Sequence, residues 1–151
     1  MIAQLHPLFD RVRRLLGFLD WLPPLIARGV TGWVFIESGW GKFQHLDKVI
    51  AFFTSLKIPS PEIQARLVSS LELGCGLLVF LGLFTRVASA PLIGIMCVAL
   101  ATAKADDIKV FSDLFSLSEF LYIIFFIWLG VNGPGAVSLD RIIFGKAGKK
   151  A

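Results

Sequence analysis

The chain has 151 residues, of which 56% are hydrophobic and only 17% charged, with 14 phenylalanines. Ordinary soluble domains are about 45–50% apolar, and small domains bury only about two-thirds of their chain surface. Water is therefore a poor solvent for most of this chain, and lipid takes its place. The net charge of +4 arises from 15 Lys+Arg against 11 Asp+Glu, and the basic residues cluster at segment ends, as orientation in a membrane requires; this argues against a nucleic-acid partner.

The fold expected is all-α: a membrane four-helix bundle with an N-terminal amphipathic interfacial helix and a short interfacial helix between spans one and two. Residues 1–21 form the first of these, residues 22–145 the transmembrane domain, and residues 146–151 a basic cytoplasmic tail. Leu5, Leu8, Phe9, Val12, Leu15, Leu16 and Leu19 recur with helical spacing, interrupted by Arg11, Arg13 and Arg14, as in a helix lying on a membrane surface. The arginines and the lack of a small-residue cleavage site argue against a secretory signal.

Pro23 and Pro24 suit the first turn of a helix, and span one runs roughly from Leu22 to Gly41. Trp21 and Trp40 sit where an aromatic belt would be. His45 to Leu56 is oily but too short to span, since a span needs about 20 residues; it reads as the second interfacial helix. Ser60, Pro61 and Glu62 then read as an N-cap, an N1 proline and a first-turn acid. Span two is roughly Arg66 to Phe84, and span three, after a Thr85-Arg86 turn, roughly Val87 to Ala103. Ser70/Gly74 and Ala90/Gly94 have the small-xxx-small spacing that lets helices approach closely in lipid. After a polar loop from Lys104 to Asp113, span four runs roughly from Leu114 to Val131 and is stopped by Asn132-Gly133-Pro134-Gly135.

Nine basic residues fall on the side of the termini and six on the other, so the positive-inside rule places both termini in the cytoplasm. Three carboxylates lie within spans: Glu37, Glu72 and Glu119. Counted from the outer helix ends they are about four, six and five residues deep, or roughly 6–9 Å at 1.5 Å per residue. Ionisable groups at membrane depth are costly and mark function by default. One reading joins the three in an outward-opening polar cavity centred on Glu72, with Lys42, His45 and Lys104 as charge partners; the other lets each glutamate reach the interface separately. Arg28 is expected to snorkel to the cytoplasmic headgroups. Cys75 and Cys97 lie in apolar runs and are expected to be free, buried thiols. The sequence offers no metal site, no intrabundle histidine pair for haem, no iron–sulfur spacing and no dinucleotide or phosphate loop.

Three strings resemble the DoxX family: Gly39-Trp-Gly-Lys-Phe43; Glu72-Leu-Gly-Cys-Gly76 followed by Leu81-Gly-Leu-Phe-Thr-Arg86; and Gly133-Pro-Gly-Ala-Val-Ser-Leu-Asp-Arg141. The resemblance runs from about Leu25 to Arg141. It implies an integral membrane protein of the bacterial inner membrane; some relatives are membrane subunits of quinone-linked sulfur oxidoreductases and others accompany redox-stress partners. The last string is read as architecture: a turn that ends span four and a short cytoplasmic cap. The function expected is a redox-linked, quinone-associated subunit working with a partner oxidoreductase, with no covalently bound cofactor and with homo-oligomers allowed. The alternatives are a non-enzymatic scaffold or assembly partner and a small proton-coupled transporter. The transporter is weakest, because no span is clearly broken at mid-membrane and no inverted repeat is visible.

Overall fold

The computed structural model describes residues 17–145. The expected N-terminal interfacial helix lies almost wholly outside them, as does the basic tail of residues 146–151. The regular structure among the described residues is all helical, with no strand among them. Six α-helices follow in order: α1 Leu22–Gln44, α2 Leu46–Ser55, α3 Pro61–Leu81, α4 Thr85–Ala101, α5 Ser118–Asn132 and α6 Leu139–Phe144. Two 3-10 turns, Ala105–Asp107 and Phe111–Ser116, occupy the connection between α4 and α5.

The helix ends follow local chemistry. Prolines in the first turn of α1 and α3 supply a pre-set φ where no N–H partner is needed. Ser60 is at the N-cap of α3 as expected, but its side chain makes no capping bond and its backbone is left-handed, φ 50°. Its carbonyl instead accepts from Ile63 and Gln64 at 3.1 Å. The turn between α3 and α4 is Gly82 to Phe84, three residues earlier than the expected Thr85-Arg86. Gly82 takes φ 69°, the left-handed conformation that closes helices and that glycine adopts without a Cβ penalty. Gly82 and Leu83 then donate back to Val79 and Leu78 at 3.0 and 2.8 Å, and Thr85 opens α4 as a buried residue.

Two pairs of helices make the body: α1 lies along α3, and α4 along α5, with α3 and α4 joining the pairs. The α1–α3 seam is tight because of three glycines. A Cβ at Gly32 would fall 2.7 Å from the Phe80 backbone, one at Gly39 2.5 Å from that of Leu73, and one at Gly76 3.0 Å from that of Ile36. The expected small-residue pairs are elsewhere: Ser70, Gly74, Ala90 and Gly94 are all exposed. Spacing of small residues recurs on several faces of these helices, and only the face that also carries the buried polar groups is used for packing.

Phe35, Val79, Leu92, Phe126 and Leu129 form the centre of the core. Phe35 packs edge-on against Phe126 and Tyr122, with ring centroids 5.0 and 5.4 Å away. Arg28, Thr31, Ser69, Glu72, Thr85 and Ser89 are buried, while Val30, Trp33, Leu77, Phe80, Ile124 and Phe125 are exposed. Polar groups inside and oily ones outside reverse the pattern of a water-soluble bundle. Among the described helices, Pro61–Leu81 is long and apolar enough to cross a membrane on its own; Thr85–Ala101 and Ser118–Asn132 are apolar but shorter.

Candidate functional site

Arg28 and Glu72 are the two buried charged residues of the described chain, at 4% and 0% exposure. They meet opposite fates. Arg28 does not snorkel. Its guanidinium donates to the carbonyls of Pro134, at 3.2 Å, and Val137. Glycines at 133 and 135, both at φ 83°, fold the chain so that these carbonyls face α1. Ser138 caps α6 by accepting from the Arg141 amide at 3.3 Å. Asp140 ties the same loop to the α3–α4 turn, accepting from the Phe84 amide at 2.8 Å and donating its own amide to the Gly82 carbonyl at 3.0 Å. The two terminal nitrogens of the fork donate to carbonyls that the Gly-Pro-Gly turn leaves without helical partners, while the buried Nε has none among the described residues. Arg28 thus holds a loop in place.

Glu72, on α3, is gripped by two residues one turn apart on α1. Lys42 donates to both of its carboxylate oxygens, and Ser38 donates to Oε2 at 2.9 Å. Gly39 lies between them on α1 and lets that helix come within reach of α3. A carboxylate can accept about four hydrogen bonds and an ammonium donate three. Three acceptor sites and two donors are used here, so one of each remains.

These groups face an open-sided cavity of about 870 Å³ lined by α1 to α5. Its walls are mostly apolar: Val34, Phe35, Phe52, Phe53, Leu71 and Ile95 are among the residues that line it. Glu119 and Tyr122 of α5 form part of the lining, as do Lys48 and Lys57 at the two ends of α2. Glu119 is half-buried and accepts from the Ser118 hydroxyl at 3.2 Å. Ligand cavities in proteins commonly measure about 300–1,000 Å³, with a few polar groups on an oily wall.

Of the three sequence-predicted glutamates, Glu72 and Glu119 line this cavity. Glu37 is exposed on the outside of α1 and is not among the lining residues. Equal depth did not bring it inward, because depth fixes position along a helix and not the direction around it. Of the three candidate charge partners, Lys42 reaches Glu72. His45 is exposed in the joint between α1 and α2, and Lys104 pairs with Asp107 at 3.3 Å. Ser38 and Tyr122 were not anticipated, although Ser38 stands four residues before Lys42 and shares its face. Pro91 was also overlooked. It lies inside α4 and lines the cavity, where its missing N–H leaves the carbonyl four residues earlier, that of Val87, without its usual donor. Both cysteines are free; Cys75 is buried as expected, but Cys97 is exposed. Among the described residues no cluster of His, Cys, Asp or Glu could hold a metal ion.

A family model described as DoxX matches residues 24–105, which carry Arg28, Lys42 and Glu72. The chain belongs to the DoxX family. It is 31% identical over 128 residues to the "Putative oxidoreductase CatD" of Bacillus subtilis (strain 168), spanning 83% of this chain and 89% of that one. It is 34% identical over 135 residues to the "Uncharacterized membrane protein Rv3486" of Mycobacterium tuberculosis (strain ATCC 25618 / H37Rv), spanning 79% and 81%. It is 26% identical over 119 residues to the "Inner membrane protein YqjF" of Escherichia coli (strain K12), spanning 79% and 90%. No solved structure gives a significant match. As a DoxX protein the chain is a membrane protein, which accounts for the inverted polarity of its helices. The strings that carried the resemblance build both charged centres: Gly39 and Lys42 from the first, Glu72, Gly76 and Gly82 from the second, and the Arg28-bound loop from the third.

Proposed function

We propose that this DoxX protein is a redox-linked membrane subunit that binds a quinone or quinol in the cavity between α1 and α5 and works with a partner oxidoreductase. The observation that carries the reading is a fully buried carboxylate, paired with an ammonium that still has a free N–H, at the wall of a large apolar cavity. That donor set fits a ring with oxygen substituents and an oily tail. Lys42 would hydrogen-bond a ring oxygen, Glu72 and Ser38 would hold Lys42 in place, and Phe35, Phe52 and Phe53 would cover the ring and tail. When bound, the quinone supplies a two-electron carrier soluble in the membrane. The name of the Bacillus relative points to the same class of chemistry.

In this reading α1, α3, α4 and α5 are the four spans, α2 lies at the outer interface, and both termini face the cytoplasm of a bacterial inner membrane. Single cysteines at Ser55 and Gly148, in a chain without Cys75 and Cys97, test the orientation: an impermeant thiol reagent should label the first and not the second in intact cells. For the function, protein purified from quinone-replete membranes is extracted and its isoprenoid quinone measured. Wild type should carry it, and Glu72→Gln should lose most of it while remaining folded. Wild type without quinone, yet copurifying with a stable protein partner, would replace this reading with that of a scaffold.

A further inference from the structure

The lysines at the two ends of α2 are left over from the site described above. Five charged residues line the cavity: Lys42, Lys48, Lys57, Glu72 and Glu119. Lys42 is taken by Glu72, and Glu119 lies on α5. Lys48 and Lys57 are exposed, and among the described residues neither forms an ion pair. Lys48 stands in the first turn of α2. Lys57 stands just past its end, where a left-handed φ of 56° redirects the chain.

α2 buries no residue, and it presents Val49, Phe52, Phe53 and Leu56 to the cavity. An oily helix with an ammonium at either end has the character of an element at headgroup depth. Beneath it lies the apolar part of the cavity, lined also by Leu67, Val68 and Leu71 of α3. Free cations beside an apolar wall complement one kind of molecule, an anionic head on an alkyl tail.

We infer that the mouth of the cavity is a binding site for an anionic glycerophospholipid, its phosphate held by Lys48 and Lys57 and an acyl chain lying on the apolar wall under α2. Its polar groups, Lys48 and Lys57, are other than those assigned to the quinone, and only the apolar wall at Phe52 and Phe53 is shared, so it goes beyond that reading. The lipid closes the mouth on the α2 side, while the Lys42–Glu72 pair stays at the α1–α3 wall.

The test is competitive retention. Protein in mixed phosphatidylglycerol and phosphatidylcholine nanodiscs is released into mild detergent, and the lipid kept is identified by native mass spectrometry. Two lysines near an anionic headgroup correspond to a preference of about thirtyfold. Wild type should keep phosphatidylglycerol with a preference of that order. Lys48→Gln with Lys57→Gln should bring the preference close to one, and the arginine pair should retain it. Excess inorganic phosphate should leave the lipid in place; if it displaces the lipid fully, the site is a phosphate site and the acyl chain contributes nothing. Glu72→Gln should lose quinone but not lipid, so the two readings fail separately. Equal retention of the two lipids by wild type, or an unchanged preference in the double glutamine variant, would overturn the inference.

Discussion

The two ends of α1 each meet a buried charge, and the two are solved in different ways. At one end Arg28 is surrounded by backbone carbonyls of a glycine-shaped loop, and no lining residue of the cavity belongs to that loop. At the other end Lys42 meets Glu72 at the edge of a cavity of about 870 Å³, with hydrogen-bonding capacity to spare. A charge held by fixed main-chain partners, away from any cavity, adds rigidity and little chemistry, even with its Nε left without a partner among the described residues. A charge pair with an open side can answer to a ligand. Burial alone, which is nearly equal for Arg28 and Glu72, does not distinguish a strut from a site; unused valence beside free volume does.

The sharpest way to break the contrast is at the closed end. Arg28→Met should cost about 3 kcal/mol, since hydrogen bonds to charged groups are each worth roughly 1.5–3 kcal/mol and two carbonyls lose their donor. Thermal unfolding in detergent would show it as a large fall in Tm, and Arg28→Lys should recover little, because an ammonium cannot reproduce the guanidinium fork. If Arg28→Met melts like wild type, the loop is not held by this residue. Gly39→Ala should cost about 1–3 kcal/mol through overpacking against Leu73. It should also loosen the Lys42–Glu72 pair, so that quinone retention falls along with stability.

At the open end the two properties should separate. Glu72→Gln is expected to change stability by only about 1 kcal/mol, since the shape and some hydrogen bonds survive and Lys42 can turn to the cavity. Its effect should fall on ligand retention. A collapse of the fold would make Glu72 a second strut and erase the contrast. Glu37→Gln should stay within about 0.5 kcal/mol of wild type in unfolding and retain ligand normally, as an exposed residue does; a loss of ligand would restore the three-carboxylate cavity expected from depth.

The smallest effect concerns the connection before α5. Amides of Val110 and Lys109 donate to the Asp113 carboxylate at 3.0 and 2.9 Å and hold it below the usual carboxylate range. Its contribution is therefore present above the ordinary aspartate pKa and lost as pH falls through the lowered one. Hydrogen exchange at these two amides, corrected for intrinsic rates, should lose its protection only under acid conditions. Asp113→Asn should show weakened protection already at neutral pH.

Much of the fold was legible because helices announce themselves by period and by their stops. The helix after the first oily segment, Leu46–Ser55, lies within the stretch expected from His45 to Leu56. Pro23, Pro61 and the Gly133–Gly135 turn mark boundaries by chemistry that is local. The α3–α4 turn was misplaced because Gly82 was read as part of an apolar run, when its φ of 69° is what ends the helix. The site was half legible. Glu72 and Lys42 follow from the cost of charge at depth, but the direction of Glu37 around α1 is set by which face packs on α3, and that depends on Gly32, Gly39 and Gly76 acting together. Arg28 was read alone, as a long side chain seeking water, whereas its partners lie more than a hundred residues away in a loop.

Because α1 is anchored at Arg28, at Gly32 and Gly39, and again at Lys42, it cannot slide or roll on α3 without losing contacts along its length. That wall of the cavity has fixed dimensions. Room for a bulkier guest must come from the other walls: from α2, which buries nothing and is jointed at His45 and at the left-handed Lys57 and Ser60, and from α4, whose hydrogen-bond ladder is already interrupted at Pro91. Across relatives of different ligand size, variation should therefore gather in those two helices, leaving the α1–α3 seam as the gauge against which they adjust.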